Sequence, residues 1–326
     1  MITNKTIVIT GGAGFIFSVL VDRMLEQNNR VLLIDKLTYA SSTLPMMQRI
    51  GYWTTRYKDQ FQFWKEDIND VIRIPDCDYL VHAAAESHND NSIANQESFI
   101  KSNILGTEHL LQLVKAKSGF NRPVFCYIST DEVLGDNPPI DGFREDAPIC
   151  PSSPYSASKA AAEALVMGYG RTFGIEWLIC RPTNCYGPRQ YPEKLIPKNL
   201  RHLQRGEKMT MYGDGSYKRV WLDNRDCCNA VKMILEKGAR NNIYHISGDV
   251  IKTNLEVLKT IYDIFNEKQQ TQSFEDSITI VPNRAGEDKM YLLNDSKTRA
   301  LGWEPFRKCF EENVSDIIKM GSVTNW

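Results

Sequence analysis

Thr6-Ile7-Val8-Ile9-Thr10-Gly11-Gly12-Ala13-Gly14 is the stretch whose reading decides the fold. Its β-branched start has the profile of a strand buried on both faces. The glycines follow directly, and a helical pattern then runs from Phe15 to Gln27. Strand, glycine turn and helix N-terminus together make a phosphate cradle. The glycines let backbone N–H groups approach the anion, and the helix dipole favours its charge. Glycine turns are common, so the motif needs context. The next strand, Arg30 to Ile34, supplies it by ending in Asp35, roughly the ~20-residue spacing of an acid that binds ribose hydroxyls. An acid there repels a 2′-phosphate, which favours NAD over NADP, although Lys36 follows it.

Working outward, Gln60 to Glu66 reads as a third strand ending at Asp67-Ile68. Tyr79 to His82 reads as a fourth, ending at Ala83-Ala84-Ala85. Small residues there permit a dinucleotide to lie against the backbone, and plain helix–sheet packing explains them equally well. Val124 to Ile128 and Ile175 to Cys180 are further strands, the second ending at Arg181-Pro182-Thr183-Asn184. Strands alternating with helices to about residue 181 predict a doubly wound, parallel, Rossmann-type sheet. Past Tyr186-Gly187-Pro188 the alternation fades. The expected division is therefore a 1–186 sheet domain and a smaller α/β substrate domain over 187–326, without a flexible linker. Asn95 to Lys117 reads as one amphipathic helix with Ile100, Ile104, Leu105, Leu111 and Val114 on its apolar face. A second helix, from near Pro154, carries a stripe of Ala160, Ala161, Ala162 and Ala164. This pair could form a dimer interface or simply cover the sheet.

The chemistry concentrates where Val124 to Ile128 ends. Ser129-Thr130-Asp131-Glu132 stands beyond the carboxyl end of that strand, where open parallel sheets bind ligands. Tyr155 and Lys159 are one helical turn apart and share a face. An ammonium beside the phenol is expected to lower its pKa from near ~10. Of the 14 tyrosines only Tyr155 has Lys at the fourth position after it. A YxxxK spacing arises by chance on surface helices, but here it follows a strand-end pair of acids.

A chain of 326 residues with 42% hydrophobic content can bury a large core. Its formal net charge is -1 with interspersed signs, which gives no footprint for nucleic acid or an anionic membrane. The first ten residues lack the pattern of a signal peptide, and no apolar stretch is long enough to span a bilayer. The 8 cysteines contain no CxxC spacing, so metal and disulfide-framework readings both fail. A cytoplasmic enzyme with reduced thiols and no metal is the expectation.

The stretches TGGAGFI (10–16), IDKLTYA (34–40), AAAESH (83–88), STDEV (129–133), PYSASKAAAE (154–163), YPEKLIP (191–197) and KRVWL (218–222) carry a resemblance over nearly the whole chain. The sequence resembles the extended short-chain dehydrogenase/reductase family and, within it, the nucleotide-sugar 4,6-dehydratases. The resemblance implies that Thr130 bonds the sugar 4-hydroxyl, Tyr155 removes its proton and Lys159 supports Tyr155 and the nicotinamide ribose. Asp131 and Glu132 match the acid–base pair of the dehydratases, which the family's epimerases and decarboxylases lack. It implies NAD contacts at Gly11, Gly14, Phe15, Ile16, Asp35, Lys36, Thr38, Asp67, Ile68, Ala83, Ala84 and Ser102. Substrate contacts are implied at Ser87, His88, Asn184, Lys194, Leu195, Arg219, Asn254 and Arg284, the two arginines clamping a diphosphate through their fork geometry. A homodimer acting on a nucleotide-diphosphate hexose is the implied assembly and substrate.

Several positions depart from the family pattern. Phe17 stands where a third small residue lets helix and strand approach. Leu134 replaces a Tyr, Cys185 an Asn, Val220 an Asp and Glu287 a His, and Asn89 and Asn91 replace a Val and an Arg around Asp90. Most of these fall on the substrate side and bear on which nucleotide sugar is used. A 4-epimerase or decarboxylase needs Tyr155 and NAD without both acids. A catalytically impaired sugar-nucleotide-binding paralogue is a further alternative, for which Phe17 is the best support.

Overall fold

The computed structural model describes residues 2–266, 273–283 and 286–319. Six strands follow one another up to residue 182: β1 (Thr6–Thr10), β2 (Arg30–Ile34), β3 (Phe61–Trp64), β4 (Tyr79–His82), β5 (Val124–Ile128) and β6 (Trp177–Pro182). Three more, β7 (Asn184–Tyr186), β8 (Met209–Tyr212) and β9 (Lys218–Asp223), lead away from them. β10 (Asn242–Ile246) then returns, before β11 (Val250–Thr253) and β12 (Ile278–Val281). The main sheet has the order β3-β2-β1-β4-β5-β6-β10, and every neighbouring pair in it is parallel. This is the doubly wound sheet expected from the alternation. Its order reverses between β1 and β4, and that switch point opens a crevice at the carboxyl ends.

Period two explains both faces of the sheet. Ile7, Ile9, Leu33, Val81 and Cys126 point into one core with Leu20, Val21 and Met24 of helix α1 (Phe17–Glu26). Val8, Leu32, Leu80, Phe125 and Tyr127 point into the opposite core, with Leu110, Leu111, Val114, Ala162 and Val166. The remaining helices used below are α2 (Leu44–Arg56), α3 (Asn89–Ala94), α4 (Gln96–Phe99), α5 (Gly106–Lys115), α6 (Pro154–Phe173), α7 (Leu195–Gln204), α8 (Asn224–Lys237) and α9 (Asn254–Asn266).

Two expectations change. Asn95 to Lys117 is not one α-helix, because a π-helical segment, Ile100–Leu105, separates α4 from α5. The wider turn breaks the register of the 3.6-residue stripe, so Ile100 and Leu105 are 49% and 54% exposed while Leu111 and Val114 are buried. Ala164 likewise faces out, while Ala160 and Ala162 are buried. The division at residue 186/187 is also crossed by the chain. After the smaller unit begins, α8 packs on α1 and β10 joins β6 as the seventh strand of the main sheet. The smaller unit has its own core of Ile196, Leu200, Met209, Trp221, Leu258 and Phe310.

All eight cysteines are free thiols. Among the described residues, no cluster of His, Cys, Asp and Glu could hold a metal ion. No described helix is long and apolar enough to cross a membrane.

Candidate active site

The crevice begins at the glycine turn. Gly11 adopts φ +70°, and a Cβ there would lie 2.5 Å from the Ala84 Cα, so only glycine lets β1 and the end of β4 meet this closely. The turn is held by bonds from Gly11 N–H to the Ile34 carbonyl (2.9 Å) and from Gly14 N–H to the Gly11 carbonyl (3.1 Å). At the end of β2, Asp35 is buried, and burial raises its pKa. Its carboxylate accepts the N–H groups of Ala13 (3.1 Å) and Leu37 (2.8 Å). The Lys36 ammonium lies 3.4 Å from Asp67 and 3.8 Å from Glu86. These features fit a dinucleotide without a 2′-phosphate. Every residue expected to contact the cofactor, from Gly11, Gly14, Phe15 and Ile16 through Thr38, Ile68, Ala83 and Ser102, lines this one cleft.

Phe17 also lines it, as the first residue of α1, and is 5% exposed within the core. The helix has not been pushed away, since the Ser18 N–H still bonds the Gly14 carbonyl at 3.1 Å. The facing helix α8 presents the small residues Cys227, Cys228 and Ala230 to the same core, and the Cys228 thiol donates to the Ile16 carbonyl at 3.2 Å. Phe17 is thus an accommodated packing residue.

The π-helical segment has a role at the site. It places Asn103 so that its amide accepts the Glu86 N–H (2.9 Å) and donates to the Glu86 carbonyl (3.0 Å) and the Ser158 hydroxyl (2.8 Å). The loop after β4 is thereby tied to α6.

At the end of β5, Thr130 caps the single turn Asp131–Leu134. Its hydroxyl donates to the Asp131 carboxyl at 3.1 Å. Burial, and then the Glu132 carboxylate, pushes Asp131 up to about 7. Glu132 is raised too, chiefly by burial, against a hydrogen bond from Asn89 and the charges of Lys194 and Arg219. Tyr155 follows the Ser153 N-cap and Pro154 at the start of α6. Its buried phenol lies among Thr130, Asp131, Glu132 and Cys185.

The expected effect of Lys159 on Tyr155 is overturned. Burial, seconded by Glu132, raises the phenol above its ordinary value. The Lys159 ammonium instead donates to the Ile128 carbonyl at 2.5 Å and sits 4.4 Å over the Tyr127 ring. Its own pKa falls to about 7 through burial.

A second cleft continues from Asp131 and Glu132 between the sheet and the smaller unit. Ser87, His88, Asn184, Lys194, Leu195, Arg219 and Asn254 all line it, whereas Arg284 lies outside the described residues. Arg219 stacks 4.7 Å over Tyr291 and stands 3.7 Å from the Glu287 carboxylate. Its guanidinium also donates to the carbonyls of Lys218 (2.8 Å), Asp288 (3.0 Å) and Lys289 (3.3 Å). The residues missed from sequence are Asn89, Ser153, Glu287 and Tyr291. Asn89 and Glu287 had signalled themselves only as departures from a familiar pattern. Across the mouth, the Tyr39 hydroxyl donates to Glu193 (2.8 Å) and the Lys194 ammonium to the Ser87 carbonyl (3.1 Å).

A family model described as GDP-mannose 4,6 dehydratase matches residues 8–317. A dTDP-glucose 4,6-dehydratase of Neisseria gonorrhoeae is 38% identical over 340 residues, covering 97% of this chain and 95% of its own. Among solved structures, the dTDP-glucose 4,6-dehydratase DesIV of Streptomyces venezuelae, with NAD bound, superposes with a TM-score of 0.86 at 33% identity, covering 97% of this chain and 96% of its own. A UDP-glucuronic acid 4-epimerase of Bacillus cereus, also with NAD, reaches the same TM-score at 25% identity, covering 97% and 99%.

Proposed function

The chain belongs to the GDP-mannose 4,6 dehydratase family, and on that premise we propose that it is an NAD-dependent nucleotide-sugar 4,6-dehydratase. It converts an NDP-hexose, of dTDP- or UDP-glucose type, to the NDP-4-keto-6-deoxyhexose and water. The observation that carries this reading is the Thr130-Asp131-Glu132 turn, with Thr130 and Asp131 buried and Glu132 half-buried, facing the Tyr155 hydroxyl where the two clefts meet.

A hexose 6-hydroxyl leaves only once a ketone at C4 has made the C5–H acidic. The glycine turn and Asp35 would hold NAD, which when bound would supply the hydride acceptor for C4 and the hydride donor for C6. Thr130 orients the 4-hydroxyl and Tyr155 takes its proton, with Lys159 placed to hold the nicotinamide ribose. Glu132 then removes the C5 proton. Asp131, which keeps its own proton to about pH 7, gives it to the departing 6-oxygen, and water leaves. The proton on Glu132 returns to C5 in the last step, and the proton taken by Tyr155 passes through solvent to replace the one that Asp131 gave up, so protons balance. Lys194, Arg219 and Arg284 hold the diphosphate.

The epimerase likeness supports a second reading that requires only Tyr155 and NAD, but it leaves Asp131 and Glu132 without a task. Incubation with a panel of dTDP-, UDP- and GDP-hexoses, followed by mass spectrometry and proton NMR of the sugar, separates the two. Loss of one water is the expected result, and a mass-neutral change of C4 configuration would establish the epimerase. The exposed Ile100 and Leu105 suit a homodimer, which light scattering of the purified chain tests, and the cytoplasm is the location proposed with it.

A further inference from the structure

We propose that Asn89 is a positioning residue for the C5 proton transfer, holding the Glu132 carboxylate in place from a third structural element. This rests on the dehydratase reading above. Asn89 opens α3, immediately after the loop at the end of β4. Its amide nitrogen donates to Glu132 Oε2 at 3.0 Å. Its amide oxygen accepts the Ser153 hydroxyl at 3.3 Å. Ser153 is in turn fixed as the N-cap of α6, its oxygen accepting the Ser156 N–H at 3.1 Å within a capping box. One chain of bonds therefore runs from the helix that presents Tyr155, through Asn89, to the acid beyond β5. It sets two groups that act in successive steps relative to each other.

A single amide matters here because of what else Glu132 faces. Asp131 adjoins it on its own turn, and Asp288 and the Tyr155 and Tyr291 hydroxyls stand opposite. Lys194 and Arg219 are the cations within its field. Burial and the like charges favour a protonated, useless base. Asn89 is a neutral group that donates a hydrogen bond to the carboxylate, and such a bond favours the ionised form. A Val or Leu at position 89 fills space without that bond.

The test reads water loss in a single turnover across pH. In Asn89→Leu, which keeps the side-chain volume and removes the amide, the rate falls about tenfold at the acid end of the profile. It approaches the parent rate at the alkaline end, where Glu132 is ionised in both proteins. Reduced nicotinamide accumulates ahead of water loss, because C4 oxidation precedes the affected step. Asn89→Asp moves the acid limb in the same direction, since a second carboxylate disfavours ionisation of Glu132, and it serves if the leucine variant fails to fold. A loss equal at every pH, or a fall in C4 oxidation as large as that in water loss, makes Asn89 merely structural and overturns the proposal. Glu132→Gln in parallel distinguishes the two levels of failure. If it retains full water loss, the role of Glu132 in the dehydratase reading falls. If it loses water loss while the Asn89 profiles match the parent, only the present inference falls.

Discussion

With its carboxyl buried beside Glu132, Asp131 keeps its proton to about pH 7 in the folded chain, against an ordinary value of 3.8. Between those values the folded state holds one proton more than the unfolded state, so this group's contribution to stability falls as pH rises from about 4 to about 7. Above that range a charge is held in a poorly solvating cleft. Asp131→Asn is expected to gain about 2–4 kcal/mol at about pH 8 and little at about pH 4, while losing dehydration. Denaturant titrations at the two pH values read the difference, and an equal gain at both would disconnect the stability of the site from this proton. The acids and the tyrosine separate kinetically as well. Tyr155→Phe should stop all turnover, because no hydride leaves C4 without the base. Glu132→Gln should still oxidise C4 and accumulate reduced cofactor; retained dehydration in Glu132→Gln would remove it as the base. The identities of these residues were legible in sequence, since STDE and YxxxK are local patterns. Their electrostatics were not. Lys159 was expected to acidify Tyr155, but burial governs the phenol, and no local pattern encodes burial of that depth.

Helix α1 shows where an element departs from its motif and remains intact. Phe17 takes the position of a small residue, yet the glycine turn and the first helical bond are present, and small residues on α8 occupy the same core. Removing the ring leaves a cavity, so Phe17→Ala should cost about 3–5 kcal/mol. NAD affinity should not improve. Urea unfolding and calorimetric NAD titration check the two halves, and tighter binding in the variant would restore the idea of a strained cradle. Sequence periodicity located α1 well and failed between Asn95 and Lys117. There the π-helical turn shifts every later side chain around the axis, and its cause is tertiary. Asn103 bonds Glu86 and Ser158, residues distant in sequence.

On the scale of the whole molecule, Arg219 stands on the smaller unit's side of the substrate cleft, and its charge reaches Asp131 and Glu132 on the other side. Besides facing the cleft, it ties down the carbonyls of Asp288 and Lys289 and is balanced by Glu287. Arg219→Ala should therefore weaken binding of a nucleoside diphosphate by tenfold or more, as about 1.5–3 kcal/mol for a charge-assisted bond implies. It should also raise hydrogen exchange over residues 286–291. An unchanged affinity would remove Arg219 from the diphosphate site, and unchanged exchange would remove its part as a tie. The parallel sheet was readable from alternating strands and helices, because each strand lies next to its own helix in sequence. Its last strand was not, because residues 187–223 intervene between β6 and the return of the chain through α8 and β10. That detour orders events on the ribosome. As synthesis proceeds from the N-terminus, β6 emerges with all six residues destined for burial, and its outer edge stays without a partner until residues 242–246 arrive. A nascent chain stalled before that point carries an open apolar edge, the feature through which unfinished sheets aggregate. Arrested chains ending near 230 should pellet or recruit chaperones, and chains extending past 246 with room to clear the exit tunnel should stay in solution.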